Sequence, residues 1–259
     1  MFHVIIQARI GSSRLPGKVL KTHNNINSLD IIIKKLKKIK KITKIILATT
    51  KNTEDKIFFK YCKKRNIDIF RGNENDVLKR FYDCAKKFKS KNIIRITSDC
   101  PFVDMRTLRK MINIQLKHKF EYLANTYPLP CKFPDGSDIE FFSFFALKKT
   151  HQQADLPSDK EHVTKYMTES KKFRTSKINI KKDYSNYRYT LDTHEDFKLF
   201  CNILDNFGIK KILTLKMEDL IQFLDQNPKI VRYQKKLKRN FGWKSSLEKD
   251  KLHINEKKS

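Results

Sequence analysis

Three polar segments, each closing an apolar run, carry most of the residues able to do chemistry. They are Arg9-Ile-Gly-Ser-Ser-Arg-Leu-Pro-Gly-Lys18, Ser98-Asp-Cys-Pro-Phe-Val-Asp104, and Asp192 at the end of Tyr187-Arg-Tyr-Thr-Leu-Asp192. The first is basic and contains glycine, and loops of this kind hold phosphate oxygens through backbone amides and Arg or Lys. The others supply Asp99 and Asp192, and carboxylates are what Mg²⁺ takes when it also bridges to phosphates. In an open α/β sheet ligands bind outside the carboxyl ends of the strands, which would bring loop and carboxylates to one edge. The chemistry implied is that of a metal-bound polyphosphate. The loop is not a P-loop, because five residues separate Gly11 from Gly17 and Val19 follows Lys18. There is no Gly-x-Gly-x-x-Gly either, which argues against a dinucleotide enzyme. Of only six glycines, Gly11, Gly17, Gly72 and Gly136 lie in polar loops, where a backbone geometry closed to other residues is expected. Cys100 sits beside Asp99, but no motif ties a histidine to it, so it reads as a small packing residue.

The elements that must position these groups follow from periodicity. Val4–Ala8, Lys44–Thr49, Ile67–Phe70 and Asn92–Thr97 are short apolar runs of strand type. Between them, Ser28–Lys40, Thr53–Lys64, Asp76–Phe88 and 104–118 read as helices. Leu29, Ile32, Ile33 and Leu36 share one face of the first, with Ser28 as its expected cap. Such β-α-β-α alternation predicts a parallel sheet covered on both faces by helices. The second half is less regular. Strands are expected at 121–126, 138–142, 173–180 and 187–191, and helical structure at 158–170. A helix at 193–206 is predicted with Thr193 and Asp196 in a capping-box arrangement. Two short helices and a basic tail follow. With no internal repeat and no Gly/Ser linker, one domain over 1–225 is expected, with a partly disordered basic helix or tail at 226–259.

The net charge of +29 would suit a nucleic-acid binder. However, only twelve of the 57 basic residues are arginine, the usual choice for specific phosphate and base contacts. No aromatic-basic RNA motif accompanies them. Gly and Pro are scarce while Lys, Asn and Ile abound, as in an AT-rich coding genome. From Gln234 to Ser259 nine basic residues face three acidic ones, so the charge is spread through the chain and reads mostly as solvated surface. A 39% hydrophobic content with 19 Phe excludes wholesale disorder. No apolar run reaches the ~18 residues of a membrane span, and the start lacks the basic region of a signal peptide. Five cysteines without a Cys-x-x-Cys pair argue against a zinc site or a disulfide framework, which makes a reducing cytoplasm the expected location.

Ile6-Gln-Ala-Arg-Ile-Gly-Ser-Ser-Arg-Leu-Pro-Gly-Lys-Val-Leu20 resembles the signature of the cytidylyltransferases that make CMP-activated acidic sugars. The nearest branch is the spore-coat polysaccharide protein SpsF group; the CMP-KDO and CMP-sialic acid synthetases are more distant. Arg71-Gly-Asn-Glu-Asn-Asp-Val-Leu-Lys-Arg80, Arg95-Ile-Thr-Ser-Asp-Cys-Pro-Phe-Val-Asp104, Phe133-Pro-Asp-Gly-Ser-Asp-Ile-Glu140, Glu161-His-Val-Thr164 and Arg188-Tyr-Thr-Leu-Asp-Thr193 continue the match. Ser98 stands where the group has Gly, and Lys160 where it has Arg. The resemblance implies a mixed, mostly parallel Rossmann-like sheet, the nucleotide-diphospho-sugar transferase fold. It implies attack by a hydroxyl of an acidic sugar on the α-phosphate of CTP, with release of pyrophosphate. Arg9, Lys18, Asp99 and Asp192 would be catalytic, and Asp99 with Asp192 would hold Mg²⁺. The nucleotide would meet Ala8, Arg9, Gly11, Ser12, Ser13, Arg14, Lys18, Ala48, Thr49, Arg71, Asp76, Arg80, Thr97 and Ser98. Asn125, Asp135, Gly136, Asp138, Glu140 and His162 would form the sugar pocket, with His162 a weaker candidate for general base. A homodimer with 130–143 in its contact is also implied. Another nucleotide-sugar enzyme on the same fold, such as a glycosyltransferase, and an inactive nucleotide-binding relative are the alternatives.

Overall fold

Alternation along the strands sorts the core onto two faces. In β1 (Phe2–Gln7), Val4 and Ile6 enter one apolar cluster and Ile5 enters another. Neighbouring β2 (Ile42–Thr50) divides in the same way, Ile45 and Leu47 against Ile46 and Ala48. Being buried on both faces, these strands read as continuous hydrophobic runs. The computed structural model describes residues 1–234, 237, 239 and 243–257.

On the first face lie α1 (Ser28–Leu36), α2 (Ile57–Arg65) and α4 (Met105–His118), through Leu29, Phe58 and Leu108 among others. On the second lie α3 (Val77–Lys87) and α5 (Phe144–Gln153), through Phe81 and Leu147. The remaining strands are β3 (Asp68–Gly72), β4 (Asn92–Thr97), β5 (Tyr122–Ala124), β6 (Glu140–Ser143) and β7 (Thr175–Lys177). Their order is β3-β2-β1-β4-β6-β5-β7. β1, β2, β3 and β4 are parallel, as expected, and β6 runs antiparallel to both of its neighbours. The sheet is therefore mixed and mostly parallel. Gln7 is level with Ala48 on one side and Thr97 on the other, so three strands end together and their following loops share one edge.

A third cluster joins α8 (His194–Ile212) and α9 (Met217–Gln226) to that edge, where Leu15, Phe102, Tyr189 and Leu191 pack against Phe200 and Leu220. α6 (Pro157–His162), α7 (Lys165–Glu169) and α10 (Trp243–Glu256) complete the described helices.

Several boundaries differ from expectation. Asn27, not Ser28, caps α1, in a capping box with Asp30; both residue types suit the position, and the side chain of Ser28 turns instead to the Ser98 carbonyl. The helix predicted from Thr53 opens as a 3-10 turn, Thr53–Lys56, leading into α2. The helix predicted at 158–170 is broken between α6 and α7 at Val163, whose φ is 61°. The strand predicted at 173–180 is reduced to β7. The one at 187–191 is an extended segment with a single bridge, Arg188 to Asp135. The Thr193–Asp196 capping box forms as predicted, while the helix behind it continues to Ile212 through a kink at Gly208. The predicted tail contains α10. Residues 235, 236, 238, 240–242, 258 and 259, on which part of the expected disorder falls, lie outside the described residues.

One charge is placed deep in this core. Lys35 of α1 is 2% exposed and donates to the carbonyls of Pro101 (3.2 Å) and Val103 (3.0 Å), bracing the chain just after Asp99. Burial pushes its ammonium down to about 7, and Asp104 offsets this only in part. The unfolded chain keeps its proton up to the ordinary lysine value. Between about pH 7 and 10 it therefore binds more protons than the fold, and this residue makes stability rise with pH. The melting temperature of the wild type, measured against Lys35→Met, should climb across that window. A constant difference between the two curves would show that Lys35 is charged throughout.

Candidate active site

Local backbone bonds shape the first loop. Ser12 and Gly17 both donate to the Ile10 carbonyl, at 2.7 and 3.0 Å, and Gly17 takes a positive φ of 68°. Leu15 is buried beneath the loop and Ile10 N–H is tied to Asp55 at 2.8 Å. The result aims Lys18 inward. Its Nζ lies 3.0 Å from Asp99 Oδ2 and 2.6 Å from Asp192 Oδ1, joining all three polar segments. Asp99 accepts the backbone N–H of Leu191 at 2.8 Å, which docks the third segment beside the second.

Arg188 is the second junction. It pairs with Asp135, with Asp192 at 3.0 Å and with Asp196 at 3.2 Å. Asp196 also caps the start of α8 by accepting the N–H groups of Asp192 and Thr193. Gly136 lets the two segments approach: at φ 98°, a Cβ there would lie 2.7 Å from Thr190 N. Burial works against ionisation of Asp192, yet Lys18, Arg14 and Arg188 hold its carboxyl well below the usual range. Burial likewise opposes the charge on Lys18, but Asp99 and Asp192 outweigh it and raise its value.

This cluster rims a cavity of about 410 Å³. Asp135, Asp138, Glu140 and His162, the residues expected to meet the sugar, line it together with Thr97 and Arg14. Glu140 is held by Arg95, Tyr122 and Thr164. Asp138 is pushed up to about 6 by burial and then by Asp135. A second cavity of about 400 Å³ opens beyond Gln7 and takes Arg9, Asp76, Arg80, Lys160 and, from α10, Lys249. Arg80 is 1% exposed and reaches the Asn73 carbonyl at 2.6 Å, while Asp76 caps α3. A Cβ at Gly72 would lie 2.8 Å from the Arg80 side chain, so this glycine keeps the space that arginine fills.

Other expected residues line neither cavity. Thr49 is fully buried with its hydroxyl on Asp55 (2.8 Å), and the Ala48 carbonyl accepts from Ala8 N–H at 3.3 Å. Arg71 is spent on the carbonyls of Thr50 and Asn52. Ser98 is buried, its N–H on the Gln7 carbonyl. Asn125 is a loop brace rather than a wall of the pocket: it donates to the Ser137 carbonyl at 2.7 Å and accepts from Ile139 N–H at 2.8 Å. Gly11 and Ser13 lie exposed on the loop, between the cavity-lining Arg14 and Arg9, of which Arg9 pairs with Glu74 at 3.3 Å. Cys100 is buried and its thiol pushed far up by that burial and by Asp99, as suits a packing residue.

Sequence reasoning missed Arg188, Arg95, Tyr127, Arg239 and Trp243, all of which line the larger cavity. For Arg188 a signal existed, four residues before Asp192 in the same motif. For Trp243, the only tryptophan, there was none, because its partners are far off in the chain. Its ring stacks on His162 with centroids 4.1 Å apart and planes at 16°. Burial, and then Arg95 and Lys165, push His162 down to about 3. The fold thus keeps the ring neutral while the unfolded chain protonates near the ordinary histidine value. Between about pH 6.5 and 3 His162 takes stability away as acid is added. Acidification from pH 7 to 4.5 should lower the melting temperature of the wild type more than that of His162→Gln. Equal slopes would remove His162 as the source.

Comparison with known proteins places this geometry. The sequence profile of the family described as cytidylyltransferase matches residues 3–237. An uncharacterised protein of Methanocaldococcus jannaschii is 34% identical over 231 residues, 87% of this chain and 91% of that one. The spore coat polysaccharide biosynthesis protein SpsF of Bacillus subtilis is 30% identical over 231 residues, covering 86% and 94%. Among solved structures, a cytidylyltransferase from Leptospira borgpetersenii superposes with a TM-score of 0.82 at 32% identity, over 90% of this chain and 98% of that one. CMP:2-keto-3-deoxy-manno-octonic acid synthetase complexed with CTP shares the fold at a TM-score of 0.58 and 13% identity, covering 80% and 99%. With the matched profile spanning the basic loop, both carboxylates and Arg188, the chain belongs to the cytidylyltransferase family and is a nucleotidyltransferase.

Proposed function

We propose that the enzyme transfers CMP from CTP to a hydroxyl of an acidic sugar, releasing pyrophosphate and supplying a CMP-sugar for surface polysaccharide synthesis. The observation that carries this is the Lys18 ammonium between Asp99 and Asp192, where the basic loop meets the larger cavity. Arg9, Ser12, Ser13, Arg14 and Lys18, with the loop amides, hold the triphosphate and offset the charge that develops on the leaving pyrophosphate. The cavity holds the acceptor. Asp135, Asp138 and Glu140 take its hydroxyl groups, and the wall fixes one oxygen against the α-phosphate. The bond from that oxygen to phosphorus forms as the bond to pyrophosphate breaks, and the hydroxyl proton passes to a nearby acceptor. His162 is a poor one, its basicity removed by burial, so its part is to shape the wall.

The donor set fits Mg²⁺. Two carboxylates already converge on one small cation, the Lys18 Nζ, and Mg²⁺ is commonly held by one or two carboxylates, waters and substrate phosphates. Among the described residues no cluster of three or more His, Cys, Asp or Glu side chains offers a complete protein cage. Bound by Asp99 and Asp192, Mg²⁺ would polarise the α-phosphate. The loop's three cations, Arg9, Arg14 and Lys18, suit a triphosphate better than a diphosphate sugar.

No described helix is long and apolar enough to cross a membrane, and the five cysteines are unpaired, in keeping with a cytoplasmic enzyme. The proposal includes a homodimer. Within 130–143 only Pro130 and Lys132 are exposed, so its contact would need neighbours such as Leu129, which is 47% exposed.

Thermal unfolding with CTP, UTP, ATP and GTP tests the nucleotide. CTP at 100 times Kd should add about 2.7 kcal/mol, roughly 5–10 °C, with a larger rise when Mg²⁺ is present. Equal, salt-sensitive shifts with every nucleotide would reduce the loop to a general anion binder. Asp99→Ala and Asp192→Ala should each lower pyrophosphate release with CTP and an acidic sugar by about a hundredfold or more, with the fold retained. Near-native turnover in either variant removes that residue from the metal site.

A further inference from the structure

Arg239 and Trp243 lie beyond residues 3–237, the stretch matched by the family profile, yet both line the larger cavity. The helix that carries Trp243 is firmly seated. Asp250 of α10 accepts Ser158 N–H at 2.8 Å and Ser158 Oγ at 2.5 Å, and Ser246 Oγ lies 2.7 Å from His162 Nε2. Ser246 and Asp250 are both buried. Trp243 therefore presents its ring from a fixed support. With His162 at 4.1 Å and Tyr127 at 5.2 Å between centroids, it builds one aromatic wall.

The cations of the cavity are unequally matched. Arg95 is paired with Glu140, Arg188 with Asp135 and Asp192, and Arg14 with Asp192. Arg239 donates to Cys131 Sγ and, at 2.6 Å, to the Phe133 carbonyl. Both acceptors are neutral, so they orient the guanidinium and leave its charge unspent. Asp138 is within electrostatic range of it, but Arg239 makes no ion pair with Asp138. A planar guanidinium held in this way is suited to receive a carboxylate in two parallel hydrogen bonds. An aromatic face beside it suits the C–H face of a sugar ring.

We propose that Arg239 and Trp243 form the acceptor-selecting wall of the pocket, Arg239 receiving the carboxylate of the sugar and Trp243 packing against its ring. The assignment rests on the transfer reading above for the nature of the acceptor. It adds that selection between acidic and neutral sugars resides in the C-terminal segment rather than in the phosphate loop.

Trp243 is the only tryptophan in the chain, so its emission reports on this wall alone. The full chain is titrated with N-acetylneuraminic acid and 3-deoxy-D-manno-octulosonic acid as probes, and with N-acetylmannosamine as the neutral control. At least one acid should change the emission saturably and the neutral sugar should not. Arg239→Ala should raise the Kd of that acid by about tenfold or more, and Arg239→Lys by less, because the charge is kept and the fork is lost. Silence with both acids, an equal response to the neutral sugar, or an unchanged Kd in Arg239→Ala overturns the proposal. CTP-dependent thermal stabilisation of the same samples separates the two readings. A wild type stabilised by CTP but indifferent to the acids loses the selecting wall and keeps nucleotidyl transfer, whereas one that ignores CTP loses the transfer reading itself. Should Arg239→Ala no longer respond to CTP, its fold is damaged and Arg239→Lys decides.

Discussion

One ammonium between two carboxylates organises this enzyme. Without the Lys18 Nζ, Asp99 and Asp192 would face each other in a partly dry site, each disfavouring ionisation of the other. With it, three loops from opposite ends of the chain hold one position at the edge of the sheet. Arg188 extends the arrangement to Asp135 and Asp196, and so couples the wall of the cavity to the cap of α8. Groups placed in this way need little reorganisation when charge moves, which is how a site with few moving parts stabilises a transition state.

The same economy explains why the large net charge says little about function. The basic residues that touch the two cavities are mostly arginines, four of them paired with carboxylates, whereas most of the lysines are exposed and screened. Two of the lysines that are not exposed, Lys18 and Lys35, brace the same loop. Lys18 holds Asp99 from the front, and Lys35 holds the carbonyls of Pro101 and Val103 from behind. A loop secured from both sides keeps its carboxylate aimed even though it lies outside regular structure.

How much could be read in advance depended on the range of the interactions. The first half was legible because strands buried on both faces read as unbroken apolar runs within ten residues, and the basic loop because its spacing is local. The segment at 187–191 alternates like a strand, yet its backbone bonds go to Asp135 and Asp99 instead of a ladder. Nothing near Asn125 reveals that its amide belongs to the carbonyl of Ser137 and the N–H of Ile139. Trp243 reads as part of a basic tail until its partner His162 is known. Asn27 and Ser28 are both good caps, and only the Ser98 carbonyl decides between them.

The place of β1 in the sheet has a consequence for synthesis. β1 is made before the strands it pairs with and is a central one, with β2 on one side and β4 on the other. At 5–20 residues per second, β4 follows roughly 5–20 s after β1. For that time the nascent chain presents Val4, Ile5 and Ile6 on a half-paired edge, a ready template for another chain. The lysine-rich segments that emerge in between give the growing chain a strong like charge. Like charge of this size opposes the close approach of two such chains, and so opposes pairing at that edge.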